Sequence, residues 1–404
     1  LINDAVFHRN RAVEERFGVT INTTNGGSNA AVKDITRSSI LSGDDEYDLV
    51  INHMIDTANL AVTGVYSDFN NIKYIDPSKP WWNKSVTENL SIGGKVWLMI
   101  GDISPYFLEH DYVVYFNKRL TAEYGISESD LYKTAKDGKW TIDKYASLTK
   151  DIWRDLNGNN ERDDDDLYGL TAQVTSYATP FIYSFGETTV KKDKDDMPVL
   201  AINEEKCAAI TEKIYNLLYN QQGTLPSNNW TLHRDTYMDG RAVFMNGVLT
   251  HAVRIFTDVD DDYGILPYPK WDENQSEYYT MSDGSSPLIA VPKTVKDTDF
   301  VGMITEAMAA ESYKQVTPVI YDIALKVRGA RDEESLEVID LATRSGVVDF
   351  GFVFGDYDKM GFFLSYLMEK KKDNFASYYA SNKDKWEKRV NDIIETAESE
   401  GALG

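Results

Sequence analysis

The chain has 404 residues, enough for two domains with full cores. Its 42 Lys and Arg against 65 Asp and Glu leave a formal charge of -23, which repels nucleic acid and anionic membrane surfaces and favours a neutral or cationic partner. A single cysteine, Cys207, excludes a disulfide framework or a thiolate metal cluster, and no apolar run reaches the roughly 18 residues of a membrane span.

The chain opens on "LINDAVFHRN", without an initiator Met or a signal peptide. This start reads as that of a truncated or processed product, so the location of the protein does not follow from its N-terminus. Residues 3–17 predict a helix with an Asn3 cap and an apolar stripe through Val6, Val13 and Phe17. The run "VTINTT" then predicts a strand, Asn29 to Leu41 a helix, and "YDLVI" a buried strand. Such alternation argues for an α/β fold.

"DPSKPWWNKS" places Trp81 and Trp82 in a Pro-bounded loop, where both cannot point into one core. "GGKVWLMIGD" predicts a short hairpin ending at Asp102, "DYVVYFNKRLTAEYG" a strand running into a helix, and "WTIDKY" a helix capped by Thr141. "EEKCAAITEKIYNLLY" is helical, with Cys207 as a small buried residue. "YMDGRAVFMNG" predicts a helix stopped at Gly240 before a strand, and residues 262–293 a strand, a Pro-rich crossing and a second strand. The runs at 191–196 and 258–262 read as charged loops. The clearest helix is the last, with Phe375, Tyr379, Asn382, Trp386, Val390, Ile393 and Ala397 at steps of three and four.

One loop carries metal-ligand spacing. In "DLNGNNERDDDD", Asp155, Asn157, Asn159, the Glu161 carbonyl, Asp163 and Asp166 fall at positions 1, 3, 5, 7, 9 and 12 of a calcium loop. Position 6 is Asn160 where Gly is preferred, and position 12 is an Asp where a bidentate Glu is usual. A helix precedes the loop but a strand, "LYGLTAQV", follows it, so this is half an EF-hand at most. Structural calcium and a solvated acidic loop are both open readings. Catalytic signatures are absent: no nucleophile elbow, no H-E-x-x-H, no phosphate loop, no dinucleotide fingerprint. His8, His53, His110, His233 and His251 are scattered without metal spacing.

"YFNK" (115–118), "WTIDKY" (140–145), "DGRAVFM" (239–245), "GILPYPK" (264–270) and "PLIAVPK" (287–293) occur in one order along the chain. Together they resemble the extracellular solute-binding proteins of ABC importers, in the carbohydrate-binding family that includes maltose-binding proteins. The D-x-N-G-N loop recurs in one branch of that family, which adds to the calcium reading. The family opens with a strand before its first helix, and here that strand is missing.

The resemblance implies a periplasmic-binding-protein-like fold of type II, two α/β lobes joined by a hinge, with crossings near 110, 267 and 326. Lobe one would hold 1–110 and 268–326, and lobe two 111–267 and 327–404. It implies a monomer that binds a sugar in an interlobe cleft and is not an enzyme. It also implies permease subunits as partners and a lipid-anchored, extracytoplasmic location. By position in that frame the ligand contacts are Asn52, Trp82, Asp102, Tyr177, Arg254 and Asp283, with Asp56 beside them, and Tyr177 at the stacking position. Trp81 would pack on the hinge side. A sensor of the same fold that presents ligand to a membrane receptor, and a glycan hydrolase, are the alternatives.

Overall fold

Residues 1–104, 106–256, 259–325, 333–343, 346–355 and 359–403 are described by the computed structural model. The first helix, Ile2–Phe17, buries Ala5, Arg9 and Val13, whereas Val6 and Phe17 are half-buried, and Leu1 rather than Asn3 stands at its cap. A buried guanidinium costs folding energy unless its donors are met. Arg9 donates to the Ile103 carbonyl at 2.8 Å and the Ser312 hydroxyl at 2.9 Å, and burial lowers its pKa to about 10. The expected strand at 19–24 does not form. A strand needs a neighbour to satisfy its backbone groups, and here the Ile21 N–H donates to the Glu14 carboxylate instead.

Among the described residues the strands are, in chain order, β1 Val50–His53, β2 Tyr112–Asn117, β3 Trp153–Arg154, β4 Leu167–Gln173, β5 Val190–Lys192, β6 Pro198–Leu200, β7 Thr224–Ser227, β8 Ala242–Val248, β9 Tyr263–Pro267, β10 Thr280–Met281, β11 Pro287–Ala290 and β12 Gly346–Val347. The largest sheet runs β3-β4-β8-β2-β9, with β7 also on β4. β4, β7 and β8 are parallel, and β2 runs against β8 and β9. Every residue of β2, β4 and β9 is buried, as expected of strands covered on both faces. A smaller sheet pairs β1 antiparallel to β11, Val50 opposite Ala290, and a bridge from Ile289 adds Met99 of the expected hairpin.

The chain does not leave the larger sheet at Pro267. The Trp140 indole donates to the Pro267 carbonyl at 2.8 Å, Lys270 bridges to Thr141, and the Tyr278 hydroxyl donates to the Ala135 carbonyl at 2.9 Å. These fixed points hold residues 268–281 on that side. The return comes at Ser282, which bridges to Asp111 and donates its hydroxyl to the Asp111 carboxylate at 2.7 Å. The crossing expected near 326 lies outside the described residues, as does Asp258 of the acidic 258–262 run.

Helix boundaries follow the caps. Thr141 accepts from the Lys144 N–H ahead of Ile142–Thr149, and Asn203 from the Lys206 N–H ahead of Glu204–Tyr219. The latter helix buries Cys207, and burial pushes its thiol up to about 12, so it packs as an unreactive small residue. The last helix, Phe375–Ser399, buries the expected stripe except Asn382, which is half-buried and donates to the Tyr378 carbonyl. Arg389 on that helix donates to the Phe354 carbonyl and to Asn59, tying it to the helix that follows β1. Among the described residues no helix is long and apolar enough to cross a membrane.

Candidate ligand-binding site

The parallel strands β4, β7 and β8 end at the same edge of the larger sheet, and β2, running against them, begins there at Tyr112. Ligands of open α/β sheets bind in the crevice outside such carboxyl ends. Three connections therefore matter: the turn Val174–Tyr177 after β4, the loop 228–231 after β7, and the wide turn His251–Ile255 after β8. From the smaller sheet, the loop that enters β11 brings Asp283 to the same place.

Tyr177 is half-buried, with its ring edge-on to Tyr112 at 5.5 Å and 5.0 Å from His233. The Tyr112 hydroxyl donates to the Asp283 carboxylate at 2.6 Å, while the Ser285 N–H holds the other oxygen at 2.9 Å and the Asp283 N–H donates to the His110 carbonyl. Next to His110, the buried Glu109 carboxylate takes the Arg254 guanidinium through two bonds, 2.5 and 2.8 Å. The same guanidinium lies 4.8 Å above the ring of Tyr106. That bidentate pair holds Arg254 pKa above its ordinary value. Tyr177, Asp283 and Arg254 thus belong to one connected set through Tyr112, His110 and Glu109.

The other expected contacts lie elsewhere. Asn52 is buried and donates to the Asn29 carbonyl at 3.1 Å, fastening the start of the helix Asn29–Ser42 to β1. Asp56 pairs with Lys33 at 2.8 Å. Both tryptophan indoles of the Pro-bounded loop donate to Glu306, Trp81 at 3.1 Å and Trp82 at 2.8 Å, and Trp82 is buried. Trp82 and Asp102 line a cavity of about 700 Å³ that none of Tyr177, Arg254 and Asp283 enters.

Two groups were not legible in the sequence. Trp230, in the loop after β7, is 67% exposed within the polar run of Ser227, Asn228, Asn229 and Thr231. His233 and His251, distant in sequence, come within 5.9 Å beneath Tyr177, and burial lowers both to about 3. Both imidazoles are therefore neutral at physiological pH.

The acidic loop folds on itself. Asp155 accepts from the N–H groups of Gly158 and Asn160 at 2.6 and 2.8 Å, and the Asn157 and Asn159 amides both reach Asp163, at 2.9 and 2.5 Å. Asn160 takes the left-handed backbone, φ 60°, that position 6 requires. Positions 3, 5 and 9 thus meet through side-chain hydrogen bonds, while position 1 holds the backbone of the turn. Asp166 stands apart: the carboxylate is buried and accepts from the Trp153 indole at 2.9 Å and the Leu156 N–H at 3.1 Å. Among the described residues no three carboxylate, imidazole or thiolate groups stand together as a metal cage, so amide and carbonyl oxygens would have to complete one.

No protein-family model matches the chain, and no curated protein matches it. Solved structures do. A cyclo/maltodextrin-binding protein complexed with maltotetraose superposes with a TM-score of 0.61 at 11% identity, over 98% of this chain and 93% of that one. UgpB from Mycobacterium tuberculosis, in complex with glycerophosphocholine, gives 0.60 at 13%, over 98% and 94%. An ABC substrate-binding protein from Listeria monocytogenes, in complex with cycloalternan, gives 0.59 at 16%, over 99% and 96%. The fold class is the expected one: the chain has the α/β fold of the type II periplasmic binding proteins.

Proposed function

We propose that this chain is the substrate-binding component of an ABC importer and holds a neutral sugar or oligosaccharide in the crevice beside Tyr177, without turning it over. The observation that carries the reading is the meeting of Tyr177, Tyr112 and Asp283 at the carboxyl edge of the larger sheet. Sugars present apolar C–H faces and a rim of hydroxyls; a ring takes the first, and a carboxylate already oriented by N–H and O–H donors takes the second. Trp230 and Tyr106, both well exposed, extend the aromatic surface available to a longer chain. The neighbouring folds bound to maltotetraose and cycloalternan support the same ligand class.

Lobe one in this reading comprises 1–110 and the segment from 282 through the helix Thr317–Leu325, whose Thr317 bonds Asp102, and lobe two the remainder. Ligand that touches both lobes shifts the hinge toward closure only through its differential affinity for the closed form. The permease subunits are the partners, the protein acts as an extracytoplasmic monomer, and a lipid anchor holds it at the cell surface. A structural calcium ion in the loop Asp155–Asp163, held by Asp155, Asn157, Asn159, Asp163 and the Glu161 carbonyl, belongs to the same reading, with Asp166 as a structural anchor rather than a ligand.

The test is thermal shift followed by calorimetry against mono- and oligosaccharides, with glycerophosphocholine included, because a ligand of the folded state raises Tm by mass action. A saturable rise with a sugar and no product on prolonged incubation is expected. A rise with glycerophosphocholine alone, or release of shorter sugars from a bound oligosaccharide, overturns the proposal.

A further inference from the structure

Phe107 lies in the same helical turn as Tyr106 and Glu109, which hold Arg254, yet it lines the separate cavity of about 700 Å³. Five rings line that cavity: Trp82, Phe107, Tyr279, Tyr313 and Tyr321. The only polar atom of the Trp82 indole is engaged by Glu306, so the side chain offers a ligand its ring alone. Among these rings stands Asp102, 6% exposed, whose carboxylate accepts from the Thr317 hydroxyl at 2.7 Å, its one hydrogen-bond donor among the described residues.

A buried carboxylate with a single neutral donor is poorly compensated when ionised. Burial accordingly raises Asp102 to about 7. Among the described residues, the charged groups that share the cavity are Asp340 and Lys84, and the Lys84 ammonium is already paired with Glu88 at 2.9 Å. A neutral hydroxyl ligand would add a hydrogen bond and leave the charge uncompensated. A cation would compensate the charge, and aromatic faces attract cations through their quadrupole.

We propose that this cavity is a second small-molecule site, taking a small organic cation with an alkylated ammonium group, whose charge sits against Asp102 and whose alkyl groups contact the rings. Nothing in the crevice beside Tyr177 takes part. The chain's charge of -23 raises the local concentration of any cation and so favours encounter.

The probe is choline, compared with its neutral isostere 3,3-dimethylbutan-1-ol, on the full chain at pH 8, where Asp102 is ionised. Thermal shift and calorimetry should show saturable choline binding and no comparable binding of the alcohol. Asp102→Asn should weaken choline at least about tenfold, a loss of roughly 1.4 kcal/mol, whereas Tyr177→Ala should leave choline binding within about twofold. Equal binding of the neutral alcohol, absence of choline binding up to about 10 mM, wild-type affinity in Asp102→Asn, or loss of choline binding in Tyr177→Ala each overturns the proposal. Should Asp102→Asn not fold, Tyr313→Ala removes a ring that is 43% exposed; a severalfold loss supports the site, and unchanged affinity overturns it.

Discussion

The Tyr112 hydroxyl donates to the Asp283 carboxylate across 2.6 Å, joining the first residue of β2 to the loop that enters β11. One bond therefore links the larger sheet to the smaller one beside the proposed crevice, and orients the carboxylate that would meet a ligand hydroxyl. Tyr112→Phe should weaken sugar binding by about 1 kcal/mol, the net worth of an ordinary hydrogen bond. Asp283 is half-buried and can exchange the lost donor for water, so Tm should move little. Calorimetry and a melting curve on the same variant check both halves; a large Tm loss with unchanged affinity would assign the bond to stability alone.

Trp230 and Tyr177 should separate under truncation. Trp230 is 67% exposed, so Trp230→Ala should leave stability within about 0.5 kcal/mol and weaken an oligosaccharide by about 1 to 3 kcal/mol if the indole stacks on it. Tyr177 packs on Tyr112, His233 and His251, so Tyr177→Ala should lower both affinity and Tm. Paired measurement on the two variants distinguishes them. An unchanged affinity in both would remove the aromatic surface from the binding site.

His233 and His251 predict acid sensitivity. Their folded-state values, lowered to about 3 by burial, lie below the unfolded value of about 6.5. Between those values the unfolded state binds more protons, so stability rises with pH. The contribution is present above about pH 6.5 and is lost as pH falls toward 3. His251→Gln should therefore show a shallower fall in Tm between pH 6.5 and 4 than the parent. An identical slope in parent and variant would remove this residue from the acid response. Asp102 has the opposite sign: its folded-state value near 7 means that its contribution fades as pH rises from about 4 through 7, so Asp102→Asn should flatten that part of the profile.

For the acidic loop, calcium added to chelator-treated protein should raise Tm, and Asp155→Ala should abolish the rise while leaving sugar specificity unchanged. Asp166→Asn provides the contrast. Its carboxylate accepts from Trp153 and Leu156, so the variant should lose Tm with and without calcium. A melting curve indifferent to calcium and chelator would make the loop a solvated surface feature.

The strongly periodic elements were readable because a single physical signal decides each. The C-terminal helix announces its buried stripe from Phe375 to Ala397, and β4 and β9 fall within runs read as strands. The segment 19–24 misled because alternation specifies a strand only if a neighbour exists to pair with it. At the proposed site, position in the chain places Tyr177 and Asp283 in connections at one edge of the larger sheet but gives no side-chain direction. Asn52 turns to the Asn29 carbonyl, and Trp82 to Glu306; those partners are remote in sequence and carry no local pattern. The imidazole pair was hidden for the same reason, since only the packing of the helix Leu232–Met238 on the sheet brings His233 to His251.

The pairing of Val50 with Ala290 sets an order of events during synthesis. β1 emerges early, yet its strand partner, β11, follows all of the larger sheet, from β2 to β9. The larger sheet can complete its ladder from one continuous stretch of chain, whereas the smaller one must wait for β11 and close a long loop to do so. Until then the paired edge of β1 is open, with the apolar residues Val50 and Ile51 beside it. A nascent chain halted shortly before residue 287 should therefore present a protease-resistant 112–267 core attached to a sensitive N-terminal segment.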